Sequence, residues 1–211
     1  MEKKVGKTLT TSLLWAITLP ALGASMDNVS AANPPRLTIR VWDRIQLNSQ
    51  SLNHAKAVVE TVYARIGLDI VWVHCGTEQT PENLPCQFPS GSGDISLRII
   101  RLSKADGLRW RSLACGVAAP REAGSGIVYI FYDRVEAALA RSKRRTSLEL
   151  FFGITMAHEI GHLLLPPGHS LKGIMRARLD EEDWKLAEIG RLTFHRQEAE
   201  QIIRTVDRRM P

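Results

Sequence analysis

The chain has 211 residues, of which 44% are hydrophobic and 24% charged, and its net charge is +6. That is enough apolar sequence for one domain with its own core, and it excludes a disordered, fibrous or disulfide-built chain. The basic residues are dispersed apart from Lys143-Arg144-Arg145 and Arg208-Arg209; with no aromatic interleaving or reader motif beside them they read as solvated surface, so no nucleic-acid partner is expected.

At the N-terminus Lys3, Lys4 and Lys7 precede the apolar run 13–24, which contains Pro20 and Gly23. A run this short and interrupted predicts a secretory signal rather than a membrane span. Cleavage falls after residue 24, or as late as residue 32, and residues 25–35 form a flexible lead-in to a single domain over 36–211. The mature chain is therefore expected to be exported, secreted or periplasmic, with no stable membrane insertion.

Residues 36–43 alternate, with Leu37, Ile39 and Val41 on one face, and predict a strand. Asn48 and Ser49 offer capping oxygens, and Leu52, Ala55, Val58, Val59, Val62 and Ile66 follow at helical spacing up to Gly67. Residues 69–74 predict a second strand, so the opening reads as a parallel β–α–β unit. A Pro-, Gly- and Ser-rich loop over 75–93 leads to a third strand over 94–102, and 103–112 is a polar turn region. Leu113, Ala114, Cys115, Gly116, Val117, Ala118 and Ala119 form a short strand of small side chains ended by Pro120, which suits a sheet edge. The unbroken apolar run 127–132 predicts a strand covered on both faces, and a helix follows over 133–141.

Export makes disulfides available. Cys75 and Cys86 flank the polar loop 76–85, and pairing them would close it; the alternative pairs Cys75 with Cys115. In the first case Cys115 is a small buried hydrophobe.

Thr146 and Glu149 have the spacing of a capping box, which opens a helix over 147–165. Within it stands His158-Glu159-Ile160-Gly161-His162. Histidines four apart share one helix face, so both rings can reach one ion, while the intervening glutamate points about 100° further round and can approach a water without becoming a ligand. The helix stops at Pro166-Pro167 and the chain turns back, bringing His169 towards the same point. Three neutral nitrogens, an open fourth position and a carboxylate are the parts of a hydrolytic zinc site. Gly173-Ile174-Met175 then makes a tight turn. Asp180, Glu181, Glu182 and Asp183 occupy the first turn of a helix running to about Ile189, where the helix dipole favours them. A last amphipathic helix after Thr193 carries Ala199, Ile202, Ile203 and Val206 on its apolar side.

These residues resemble the metzincin clan of zinc metallopeptidases, in particular its matrixin-like members and the small exported bacterial ones. His158-Glu159-Ile160-Gly161-His162 is similar to the clan's H-E-x-G-H, His169-Ser170 to the third ligand and the serine that often follows it, and Gly173-Ile174-Met175 to the Met-turn. The resemblance implies Zn2+ held by His158, His162 and His169. It implies Glu159 as general base and then acid, Met175 as the floor of the site, and the edge strand 113–119 as the line on which an extended peptide pairs. The order of elements is that of an α+β (α/β-like) chain, and the resemblance implies a metzincin-like twisted mixed sheet of about five strands with a backing helix, an active-site helix and C-terminal helices. The chain departs from the clan pattern in two places. Its second and third histidines are seven apart rather than six, and Leu165 stands where a glycine is usual, with Gly168 placed to take over the turn.

The expected activity is that of a zinc-dependent endopeptidase, a monomer acting on a peptide or protein substrate. Two other readings of the same residues stand. In a glutamate-zincin, Glu181, Glu182 or Glu188 supplies the third ligand. In a non-catalytic exported module, zinc braces the fold or the cleft holds peptide without cleaving it; the presence of Glu159 leans against this. His54, His74 and His195 read as surface or structural, and Tyr129 and Tyr132 as core.

Overall fold

Apolar–polar alternation marks the first strand of the sheet and an unbroken apolar run the last. In a computed structural model, which describes residues 34–76, 86, 94–102, 115–120, 126–142 and 144–208, the strands are β1 (Arg36–Asp43), β2 (Asp69–His74), β3 (Ile95–Ile100), β4 (Gly116–Pro120) and β5 (Gly126–Phe131). The expected signal segment 1–24, the Pro-rich loop over 77–85 and 87–93, the turn 103–112, Leu113, Ala114, Lys143 and Arg209 lie outside the described residues. The strands form one sheet in the order β2-β1-β3-β5-β4. β1, β2, β3 and β5 run parallel, and β4 lies antiparallel to β5 at one edge.

Parallel neighbours need crossover connections, and one helix supplies that between β1 and β2. The five helices are α1 (Ser49–Ala64), α2 (Tyr132–Ser142), α3 (Leu148–Leu164), α4 (Glu181–Glu188) and α5 (Arg196–Asp207). The fold is thus α+β, a five-stranded mixed sheet with five helices among the described residues. On one sheet face Leu37, Ile39 and Val41 of β1, Ile95, Leu97 and Ile99 of β3, and Val128 and Ile130 of β5 form a single buried cluster with Ala55, Val59 and Val62 of α1 and Met156 and Ile160 of α3. No helix among the described residues is long and apolar enough to cross a membrane.

The edge strand is β4, but its bounds differ from the expected 113–119. Pro120 is its last residue, opposite Gly126, and a strand end is where a missing N–H costs no ladder bond. Cys75 is bonded to Cys86, with Cα atoms 5.6 Å apart, and Cys115 is a free thiol.

Helix starts also differ from the local pattern. Ser147, not Thr146, caps α3, its hydroxyl accepting from the Leu150 N–H at 3.1 Å. The capping box of Thr146 and Glu149 does not form, because both side chains have distant partners. The Thr146 hydroxyl donates to Glu188 at 2.8 Å, and Glu149 accepts from Ser51 at 3.0 Å. α4 starts at Glu181, so Asp180 is its N-cap rather than part of the first turn, and a capping box forms between Asp180 and Asp183. α5 starts at Arg196 rather than just after Thr193, because the Thr193 carbonyl is engaged by the Ile174 N–H at 3.1 Å.

One glycine sets how closely the two central helices cross. A Cβ at Gly153 of α3 would lie 2.6 Å from the Ala55 carbonyl oxygen and 2.6 Å from Val58 Cβ of α1. Backbone cannot swing aside as a flexible side chain can. Gly153→Ala is therefore expected to destabilise by about 2–3 kcal/mol of overpacking, against about 1 kcal/mol recovered in helix propensity. A thermal melt followed by circular dichroism checks this; an unchanged or higher melting temperature would mean that the helices part without cost.

Candidate metal centre and its carboxylate

α3 delivers the first three side chains of the site. His158 and His162 are half-buried near its C-terminal end, with ring centroids 4.7 Å apart, and Glu159 between them is buried at 8% exposure. The helix ends at Leu165, which is extended (φ −115°, ψ 160°) as a residue before proline prefers. Pro166, Pro167 and Gly168 are exposed, and Gly168 has φ +134°, a backbone that side-chain-bearing residues rarely adopt. The reversal brings His169 back over the helix, its ring centroid 5.3 Å from that of His158 and 4.9 Å from that of His162. The turn that is one residue longer than the clan pattern thus still carries the third ring to the other two.

The segment after His169 closes on itself. The Ser170 N–H bonds the Met175 carbonyl at 2.9 Å, and the Arg176 N–H bonds the Gly173 carbonyl at 3.2 Å. Gly173 has φ +72°, and a Cβ there would sit 2.7 Å from the Thr193 carbonyl oxygen. Met175 is 2% exposed. Its sulfur would be 2.5 Å from a Cβ at Gly161, so the glycine inside the histidine motif is where the methionine packs against bare helix backbone.

Hydrogen bonding sets the tautomer of one ring. His158 Nδ1 lies 2.7 Å from the Ile174 carbonyl oxygen, so Nδ1–H donates to it and Nε2 carries the lone pair. That Nε2 faces His162 Nε2 at 3.1 Å. Two imidazoles bonded to one zinc at 2.0–2.1 Å in a tetrahedron hold their nitrogens about 3.3 Å apart, so this pair fits a shared ion. Ligand atoms of all three histidines lie within 4.8 Å of one another, and His169 is the exposed member. Burial lowers the pKa of His158. Burial, and then the neighbouring His158 and His169, lower that of His162 to about 4. Both rings are therefore neutral at neutral pH, the form that binds metal.

Glu159 faces the sheet edge. Its Cγ and Cδ lie 2.6 and 2.9 Å from where a Cβ on Gly116 would be, so β4 runs directly against the carboxylate. Burial raises its pKa from the usual carboxylate range to about 7. Gly116→Ala is expected to push Glu159 aside, since the Tyr129 carbonyl oxygen, 3.0 Å from the new methyl, blocks the other direction. On the expected peptidase reading, a carboxylate misplaced by about 1 Å costs about 10²-fold in turnover. The check is peptide turnover beside zinc affinity: the first should fall and the second hold. Equal loss of both would mean that the strand, not the carboxylate, had moved the site.

The remaining predicted residues are placed as follows. Cys115 precedes β4, with its thiol pKa raised by burial and then by Glu159. Val117, Ala118 and Ala119 follow along the edge strand, half-buried. Of the glutamates considered as a third ligand, Glu181 pairs with Arg144 at 3.4 Å and Glu188 accepts from Thr146. Among the described residues the side chains grouped to hold an ion are His158, His162 and His169, with no glutamate among them. Neither the Gly116 contact nor the Tyr63 hydroxyl, which donates to the Ala157 carbonyl at 3.1 Å, has a local signature in the sequence. No protein-family model matches the chain, and no curated protein matches it.

Proposed function

We propose that the protein is a zinc-dependent endopeptidase of metzincin type. The observation that supports it best is the convergence of His158, His162 and His169 beside a buried Glu159 that abuts the edge strand. Zinc held by the three imidazoles would supply Lewis-acid chemistry, acidifying a water and polarising the scissile carbonyl. Glu159 takes the proton of the attacking water and returns it to the leaving amine. His158 is held for its part by the Ile174 carbonyl. β4 offers its outer edge and small side chains to an extended peptide, which would lie across Glu159 as an added strand.

Incubating the mature chain with a diverse peptide library, with and without chelator, tests the reading. Cleavage that chelator abolishes and zinc restores supports it. Zinc binding that a hydroxamate does not contest, with no cleavage, would instead make the protein a non-catalytic zinc module, because a closed site has no position for the competitor.

A further inference from the structure

The loop that carries His169 is tied to the last helix through one carboxylate. Ser170, the residue after the third histidine, donates its hydroxyl to Oε1 of Glu198, in the first turn of α5. Oε2 of the same carboxylate accepts from the His195 N–H at 2.7 Å. Both oxygens are committed, so the group is a fixed acceptor rather than a swinging one. The two sides of the loop are anchored differently. The Ile174 side is tied by backbone, its N–H to the Thr193 carbonyl at 3.1 Å and its carbonyl to His158 Nδ1 at 2.7 Å. The His169 side follows three exposed residues, Pro166, Pro167 and Gly168, and precedes Leu171, which is 89% exposed. Two bonds anchor it, the Ser170 N–H on the Met175 carbonyl and the Ser170 hydroxyl on Glu198.

We propose that Glu198 is a positioning residue for the third metal ligand: it fixes Ser170, and through Ser170 the direction in which His169 faces the other two rings. The proposal rests on the reading of the three histidines as a metal site and goes beyond it by placing part of the metal affinity in the C-terminal helix. The chemistry is general. A charge-assisted hydrogen bond is stronger and more directional than a neutral one, and groups that orient a ligand without touching the metal commonly govern 10–100-fold in affinity.

The test is zinc affinity by competition with a chromophoric chelator, beside the visible spectrum of the cobalt(II)-loaded chain. Wild type, Glu198→Ala and Ser170→Ala are compared, each with and without His169→Ala. Both single variants are expected to weaken zinc about tenfold and to change the cobalt band. In the His169→Ala background, measured at higher metal, neither should weaken binding further. Equal losses with and without His169, or no loss at all, would overturn the proposal and leave Glu198 as a fold contact only. A wild-type chain that takes up neither metal would overturn the metal-site reading and this proposal with it. Ser170→Ala leaves the Glu198–His195 contact of α5 intact and carries the comparison if Glu198→Ala does not fold.

Discussion

Replacing Glu159 by Gln is expected to lower peptide hydrolysis by about 10²–10⁴-fold, the usual contribution of a positioned acid–base group, while leaving zinc affinity close to that of wild type. The amide is nearly isosteric, so contact with Gly116 is kept, but it cannot take a proton from water. Burial raises the Glu159 carboxyl to about 7. A group whose proton affinity lies near the working pH can both accept and return a proton, which a carboxylate in its ordinary range does poorly at the second step. A neutral amide also removes the cost of a buried charge, so the variant should melt no lower than wild type. Peptide turnover and zinc stoichiometry on the same preparation decide the matter; undiminished turnover would remove Glu159 from the mechanism.

Zinc is expected to raise the melting temperature of the metal-free chain, and His162→Ala is expected to remove that response. A ligand at about 100 times its Kd stabilises the native state by about 2.7 kcal/mol. For a domain of this size each kcal/mol corresponds to about 2–4 °C, so the shift should be about 5–10 °C. His162 is the informative position because its ring is neutral, half-buried and 3.1 Å from His158 Nε2. Alanine is the best helix former, so the substitution takes away a ligand without weakening α3 itself. Differential scanning with zinc and with chelator makes the comparison. An equal rise in the variant would place the metal elsewhere on the chain.

Much of this molecule was legible in local pattern. β1 and β2 have the bounds expected from the sequence, and α1 starts at the Asn48 cap, whose side chain accepts from the Gln50 N–H at 2.8 Å. The small-residue strand ends up at the sheet edge, beside the apolar run that became β5. Local pattern failed where a side chain had a better partner far away. Thr146 and Glu149 look like a capping box, yet Glu188 and Ser51, 42 and 98 residues distant, engage them. Thr193 looks like a helix start, yet its carbonyl holds the loop that follows His169.

For the site the division is sharper. That His158 and His162 share a face, with Glu159 turned away, follows from the helical period and needs nothing but the sequence. A stop at Pro166 follows from ring geometry and a missing N–H in the same way. Whether His169 returns to the helix, whether Met175 reaches the bare backbone of Gly161 and whether Glu159 is buried against Gly116 were decided only by the tertiary structure. Each depends on segments distant along the chain being brought into contact by the core and held by hydrogen bonds. Such closures come from the packing of the whole sheet and its helices, and no short run of residues contains them.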